Sequence, residues 1–310
     1  MTPENSPNLT VVIPTHNRAP LLRQAIESVL RSPLIASPTQ VIVVDDCSTD
    51  ETPSVIFQAG VRTVRVASGS PSGSRNAGLA MVDTEFVAFL DDDDVWLRGN
   101  MEPQLEALRL NPAAAFAFGR VQRTDDQLLA VGPPFPPMPS AGTNLHLFVY
   151  AHQLQLGSIA LRTAYVKSVG GFDLSLRFGE DSHLLTRLAA VYPVVPVDMV
   201  GSSFRQRSLT KREAEDRWRS HRLWGESVTK LRRLGALPPW RGRIGADIRL
   251  RGLTNYYHKM DAQAALADGR KRDALRYLWF AWRVSPLHSA IKTSYWSTLR
   301  RALSARSGGP

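Results

Sequence analysis

The sequence predicts an α/β protein built on a doubly wound, mostly parallel, Rossmann-like sheet, followed by a basic helical C-terminal subdomain. Three observations predict it. Short β-branched apolar runs alternate with helical periodicity, two of those runs end directly in aspartates, and the charge balance reverses along the chain.

Taken in order, residues 9–13 (Leu9-Thr10-Val11-Val12-Ile13) form an apolar run too short for a helix and stopped by Pro14, hence a buried strand. Residues 18–30 place Leu21, Leu22, Ala25, Ile26, Val29 and Leu30 on one helical face. Residues 41–44 are a second buried strand running into Asp45-Asp46, and Asp50 caps a helix starting at Glu51. A third strand covers 61–66, a helix 74–81, and a fourth strand, 86–90, delivers Asp91. In such sheets ligands bind beyond the carboxyl ends of the strands, where both acid clusters fall. A helix over 100–110 precedes the proline-rich stretch 132–139, whose five prolines exclude regular structure and mark a surface loop beside the site. Further strands are expected at 156–161 and 194–200, with a helix at 181–190 between them. From Leu209 onward the pattern is helical and rich in Arg and Trp. The expected organisation is a disordered start (1–8), one α/β domain (9–207) and the basic helical part (208–310).

The composition, 310 residues with 43% hydrophobic content, suits a soluble globular protein with a packed core. Cys47 is the only cysteine, which excludes an intrachain disulfide framework or a cysteine-rich zinc site and fits a reducing cytoplasm. No stretch reaches the roughly 18 apolar residues of a spanning helix, and the start lacks a basic region followed by an apolar one, so the chain is expected to be neither secreted nor integral to a membrane. The net charge is +10: residues 1–200 carry 14 Lys and Arg against 20 Asp and Glu (−6), and residues 201–310 carry 24 against 8 (+16). An acidic half followed by a basic half points to two regions with different tasks.

Four successive acids, Asp91-Asp92-Asp93-Asp94, at the end of a buried strand repel one another unless a counter-charge neutralises them. Hard divalent ions such as Mg²⁺ or Mn²⁺ take carboxylate and phosphate oxygens together. A solvated acidic turn is the plainer reading of an acid run in general, and the preceding apolar strand favours the cation. Asp45-Asp46 is a second acid pair at a strand end, suited either to accepting from a base N–H or a ribose hydroxyl, or to capping the next helix. Residues 72–78 (Ser72-Gly73-Ser74-Arg75-Asn76-Ala77-Gly78) are small enough for close backbone approach, and Arg75 could oppose diphosphate charge.

The ordered set of motifs resembles glycosyltransferase family 2, the inverting GT-A family, over roughly residues 9–210. The motifs are Val11-Val12-Ile13-Pro14-Thr15-His16-Asn17-Arg18, Val43-Val44-Asp45-Asp46-Cys47-Ser48-Thr49-Asp50, Ser74-Arg75-Asn76-Ala77-Gly78, Phe89-Leu90-Asp91-Asp92-Asp93-Asp94-Val95-Trp96, Val169-Gly170-Gly171-Phe172-Asp173 and Glu180-Asp181. The resemblance implies a GT-A sheet, a nucleotide-sugar donor held by Pro14, Thr15, His16, Asn17, Arg18, Asp46, Arg75, Asn76, Asp91, Asp92 and Arg207, and Mn²⁺ or Mg²⁺ on Asp91 and Asp93. Asp46 would recognise the base, uracil in the commonest case, with His16 against it. Asp92 would lie near the ribose or the metal. Asp181 matches the family's general base, which deprotonates an acceptor hydroxyl; as a lone residue it would be read as an acid complementing a helix dipole. Two departures stand out. Arg207 occupies the place of a histidine that can reach the metal or diphosphate, and Ala214-Glu215-Asp216-Arg217-Trp218 lacks the glutamine of the processive members' motif. Addition of a single sugar to a glycan or lipid-linked acceptor is therefore expected.

The basic part, with stretches such as Arg276-Tyr277-Leu278-Trp279-Phe280-Ala281-Trp282-Arg283, suits peripheral contact with an anionic membrane at its inner face, or a helical subdomain whose Trp residues pack inward. No recognised nucleic-acid module accompanies the charge. The rival readings are a haloacid-dehalogenase-type phosphatase with Asp91 as nucleophile and Asp93 as acid/base, which leaves the first 80 residues unexplained, and a non-catalytic nucleotide-sugar or glycan-binding module.

Overall fold

The computed structural model describes residues 8–32, 39–152, 154–176, 179–206, 230–236, 272, 274 and 275. The chain divides into two compact units. The first comprises Met1–Arg207 together with Glu226–Pro238, and the second Ser208–Gly225 with Pro239–Pro310. The segment Glu226–Pro238, within the stretch expected as the basic helical part, groups with the first unit. The expected disorder before Asn8, Arg207 and nearly all of the expected C-terminal helices lie outside the described residues. Among the described residues no helix is long and apolar enough to cross a membrane.

Among the described residues the first unit is an eight-stranded mixed sheet flanked by helices. Its strands are β1 (Leu9–Thr15), β2 (Thr39–Asp46), β3 (Arg62–Val66), β4 (Phe86–Phe89), β5 (Val95–Trp96), β6 (Phe116–Thr124), β7 (Ile159–Arg162) and β8 (Val194–Arg205). Its helices are α1 (Ala19–Leu30), α2 (Thr52–Ala59), α3 (Pro71–Ala80), α4 (Glu102–Leu110), α5 (Leu145–Ala151), α6 (Thr163–Ser168) and α7 (Glu180–Val191). The strand order is β3-β2-β1-β4-β7-β6-β8-β5. β1 pairs in parallel with β2 on one side and β4 on the other, so the strand order reverses direction at β1. Such a switch point opens a crevice at the strands' carboxyl ends.

Strand alternation splits the core between the two sheet faces. Val11, Ile13, Val43 and Ala88 pack with Leu22, Ile26 and Leu105, while Val12, Ile42, Val44 and Phe89 pack with Leu79, Leu184 and Leu188. α3 lies so close to the second face that a Cβ on Gly78 would sit 2.3 Å from Val12 Cγ1 and 3.0 Å from Val44 Cγ2. Both neighbours are β-branched side chains on central strands with little room to turn. Gly78→Ala is therefore expected to destabilise the domain by about 1–3 kcal/mol, the usual range for overpacking, read as a lower midpoint in urea unfolding at unchanged slope.

Several expected elements differ. Pro14 does not end the first strand; β1 continues through it to Thr15. The β1–β4 ladder stops at Val12 and Phe89, so beyond that point only β2 flanks the strand and a residue without an N–H is tolerated. The expected strand at 156–161 begins only at Ile159, after a 3-10 turn over Leu156–Ser158. β5, β6, α5 and α6 were not expected at all. The sheet is also mixed beyond β4, because β7 runs antiparallel to both β4 and β6.

Candidate active site

Three strand ends meet at the crevice: β1 with Thr15 to Arg18, β2 with Asp46, and β4 with the acid run. Asp46 closes β2 inside a cage of donors. Its Oδ1 accepts from the backbone N–H groups of Ser68 (2.8 Å) and Gly69 (3.2 Å), and its Oδ2 from the hydroxyls of Ser68 (2.8 Å) and Ser74 (3.1 Å). Burial works to raise its pKa, but these bonds outweigh it and hold the carboxyl below its ordinary value. His16 is exposed, with Nδ1 2.6 Å from the Asp46 carbonyl oxygen. Asn17, at φ 53°, donates its N–H to Ser48 Oγ and accepts from the Thr49 N–H at 2.7 Å, which ties the end of β1 to that of β2.

The acid run folds into a tight turn whose side chains part company. Asp92 points back under β1, where it is buried and accepts from Thr15 Oγ1 (2.7 Å) and Arg18 Nη1 (2.9 Å). Burial, with a smaller push from Asp93 and against the pull of Arg18, raises its pKa to about 6. Asp91, Asp93 and Asp94 instead converge, each offering a carboxylate oxygen within 4.8 Å of the others. Asp94 is buried, and burial first, then the charges of Asp93 and Asp91, drive its pKa well upward even though its Oδ1 accepts from the Arg205 N–H at 2.9 Å. Three hard oxygen donors, two half-buried and one buried at a cost, fit a divalent cation, whose charge would offset that repulsion.

Arg75 lies buried between this cluster and α7. Its Nη2 is 2.5 Å from Asp91 Oδ1 and its Nη1 2.6 Å from Glu180 Oε1. Burial opposes its charge, and the negative charges of Asp91, Glu180 and Asp181 more than restore it. Arg75 is only 6% exposed, and its guanidinium bridges two carboxylates. Ser74 and Arg75, adjacent on α3, thus join the Asp46 cage to the acid turn. Asp181 follows Glu180 in the first turn of α7 and keeps part of its surface open. Burial, then the Glu180 charge, push its pKa up to about 7, with Arg75 pulling the other way.

Asn76, expected at the donor, is committed elsewhere. Its amide donates to the Phe172 carbonyl (2.8 Å) and accepts from the Phe172 N–H (2.9 Å), pinning the Gly171-Phe172 turn. The structure therefore gathers Thr15, Arg18, Asp92 and Asp93 on one side and Arg75, Asp91 and Asp181 on the other, joined where Asp91 and Asp93 converge with Asp94, with Pro14 inside β1. Ser68 and Arg205 were not singled out from sequence, and Asp94 and Glu180 were named there only as members of the acid run and of the Glu180-Asp181 motif. Arg205 reaches three elements from a buried position: its Nε donates to the Asp93 carbonyl (2.9 Å), its Nη2 to Gln24 Oε1 (2.8 Å), and its Nη1 to the Asp126 carbonyl. Asp94 was visible as the fourth acid, whereas nothing in the sequence marked Arg205 above its neighbours.

An open α/β sheet with an acid turn at its switch point is the architecture of a GT-A-type domain. Residues 10–159 match the profile described as Glycosyl transferase family 2, and this segment is a family 2 domain. A Campylobacter jejuni GalNAc(5)-diNAcBac-PP-undecaprenol beta-1,3-glucosyltransferase is 35% identical over 120 residues, covering 36% of this chain and 38% of that protein. The chain spans about two-fifths of the length of the first curated relatives it matches. Among solved structures, Staphylococcus aureus TarS 1-349 in complex with UDP-GlcNAc superposes with a TM-score of 0.56 at 18% identity, over 97% of this chain and 92% of that one. Mannosyltransferase PcManGT from Pyrobaculum calidifontis, in complex with GDP-Man and Mn2+, does so with 0.60 at 20% identity, over 96% and 86%. At these identities the likeness establishes the GT-A fold.

Proposed function

We propose that the chain is an inverting, metal-dependent glycosyltransferase. It moves one hexose-type sugar from a nucleoside-diphosphate sugar, UDP-linked, to a hydroxyl of a glycan or lipid-linked acceptor in cell-surface polysaccharide or glycoconjugate synthesis. The observation that carries this reading is the continuity of the site: Asp91 belongs to the cation-sized acid group and also pairs through Arg75 with Glu180, the neighbour of Asp181. Mn²⁺ or Mg²⁺ held by Asp91, Asp93 and Asp94 would neutralise the charge that develops on a leaving diphosphate.

Asp46, held ionised by its donor cage, accepts from the base or ribose, with His16 beside it. Asp92 fixes Thr15 and Arg18 at the donor's edge. Asp181, with a pKa near neutrality, takes the proton of the acceptor hydroxyl as its oxygen attacks the anomeric carbon from the face opposite the diphosphate, which inverts the configuration. Arg207, outside the described residues, clamps phosphate, and the basic residues 208–310 meet an anionic membrane from the cytoplasmic side. A phosphatase reading, with Asp91 as nucleophile, conflicts with the Arg75 pair on that carboxylate and ignores the family match over the amino-terminal strands. The test is turnover of UDP-N-acetylglucosamine, UDP-glucose and GDP-mannose with Mn²⁺ or Mg²⁺ beside a simple phosphate monoester. Metal-dependent release of nucleoside diphosphate is expected; hydrolysis of the monoester alone would sink the reading.

A further inference from the structure

Lys230 belongs to none of the motifs. It sits in the returning segment Glu226–Pro238, whose sequence neighbours on both sides belong to the second unit. The described part of that segment is docked on the first unit: Leu231 and Ala236 are buried, and His146 Nε2 lies 3.0 Å from the Ala236 carbonyl oxygen. Lys230 Nζ donates to Asp173 Oδ2 at 2.7 Å and also to Ser175 Oγ. The other oxygen of Asp173 accepts from the Ser175 N–H (2.9 Å) and hydroxyl (2.6 Å), so one carboxylate closes the turn and receives the lysine.

The same loop is gripped from the opposite direction. Arg187 on α7 donates to the carbonyls of Val169 (2.6 Å) and Gly171, Asn76 on α3 holds Phe172, and Ser72 Oγ donates to the Leu176 carbonyl at 3.0 Å. Four residues beyond Leu176 the chain enters α7, whose first turn carries Glu180 and Asp181. His183, one turn further in, is 1% exposed with neither ring nitrogen hydrogen-bonded. Its pKa is pushed down to about 4 by burial, then by the Arg187 charge, with Asp173 and Lys230 near enough to contribute. The Lys230–Asp173 pair is therefore close to the helix that bears Asp181, and its grip is the only one of these that comes from residues beyond 207.

We propose that Lys230 is a positioning residue for Asp181: by locking the Asp173–Ser175 turn it fixes the entry to α7 and makes the segment 230–236 part of the acceptor side of the site. The inference rests on Asp181 being the general base. Two alternatives to a lysine separate positioning from general packing. Lys230→Met keeps the apolar stem and removes the charge, whereas Lys230→Arg keeps a donor able to reach Asp173.

The experiment compares full-length wild type with both variants, by amide hydrogen exchange and by Mn²⁺-dependent turnover of UDP-N-acetylglucosamine and GDP-mannose. Lys230→Met is expected to raise exchange across 172–184 about tenfold, to leave 9–15 and 39–46 unchanged, and to lower kcat about tenfold with donor KM within about twofold. Lys230→Arg is expected to restore both. Unchanged exchange across 172–184, or a donor KM that moves as much as kcat, overturns the proposal. A wild type that turns over neither nucleotide sugar counts against the functional reading instead, and the exchange pattern then decides the clamp by itself.

Discussion

Asp93→Ala is expected to weaken metal-dependent nucleotide-sugar binding by on the order of 100-fold or more, while leaving the apoprotein at least as stable as wild type. The first half follows from geometry, since Asp93 supplies one of three carboxylates that converge within 4.8 Å. The second follows from electrostatics. Asp93 is a source of the repulsion that raises the pKa values of Asp92 and Asp94, and Arg18 retains Asp92 as a partner at 2.9 Å when Asp93 is lost. Thermal melting with and without Mn²⁺ and UDP checks both halves at once. Ordinary misfolding lowers the melting temperature in every condition, whereas loss of a cation site removes only the ligand-induced rise.

The second large effect is expected at Asp181→Asn. Donor affinity should stay within about threefold and transfer should fall roughly 10²- to 10⁴-fold, the contribution typical of a general base. The pH dependence carries its own signature. A base must be deprotonated to act, so wild-type transfer rises with pH through about 7, where burial and Glu180 hold the Asp181 pKa, and the residual rate of Asp181→Asn loses that step. Stability moves in the opposite sense. A carboxyl whose folded pKa lies above its unfolded value stabilises the fold fully below the unfolded value, near 4, and loses that contribution as pH rises through about 7. Asp181→Asn should therefore gain stability relative to wild type on going from pH 5 to pH 8, measured by urea unfolding at both.

The strands that build the crevice were legible because parallel strands buried on both faces read as unbroken apolar runs, and β1, β2 and β4 each run into polar residues at the site. β6, Phe-Ala-Phe-Gly-Arg-Val-Gln-Arg-Thr, was not, because its second half is polar and is held as a strand by its pairing with β8. β5 is two residues long and likewise owes its existence to β8. At the site, spacing identified which acids stand together but not where each side chain turns. The turn sends Asp92 under β1 and brings Asp94 beside Asp91 and Asp93. Arg75 and Asn76 were read as donor contacts from their motif. Their partners, Glu180 and the Phe172 backbone, lie 105 and 96 residues away, beyond what any local pattern encodes.

The most direct test of the central claim is a calorimetric titration of UDP into the full chain, with Mn²⁺ present and again with the metal chelated. The acid turn at the switch point predicts binding that requires the cation and is lost on chelation. Equal affinity in both conditions would contradict a cation shared between the diphosphate and the carboxylates of Asp91, Asp93 and Asp94.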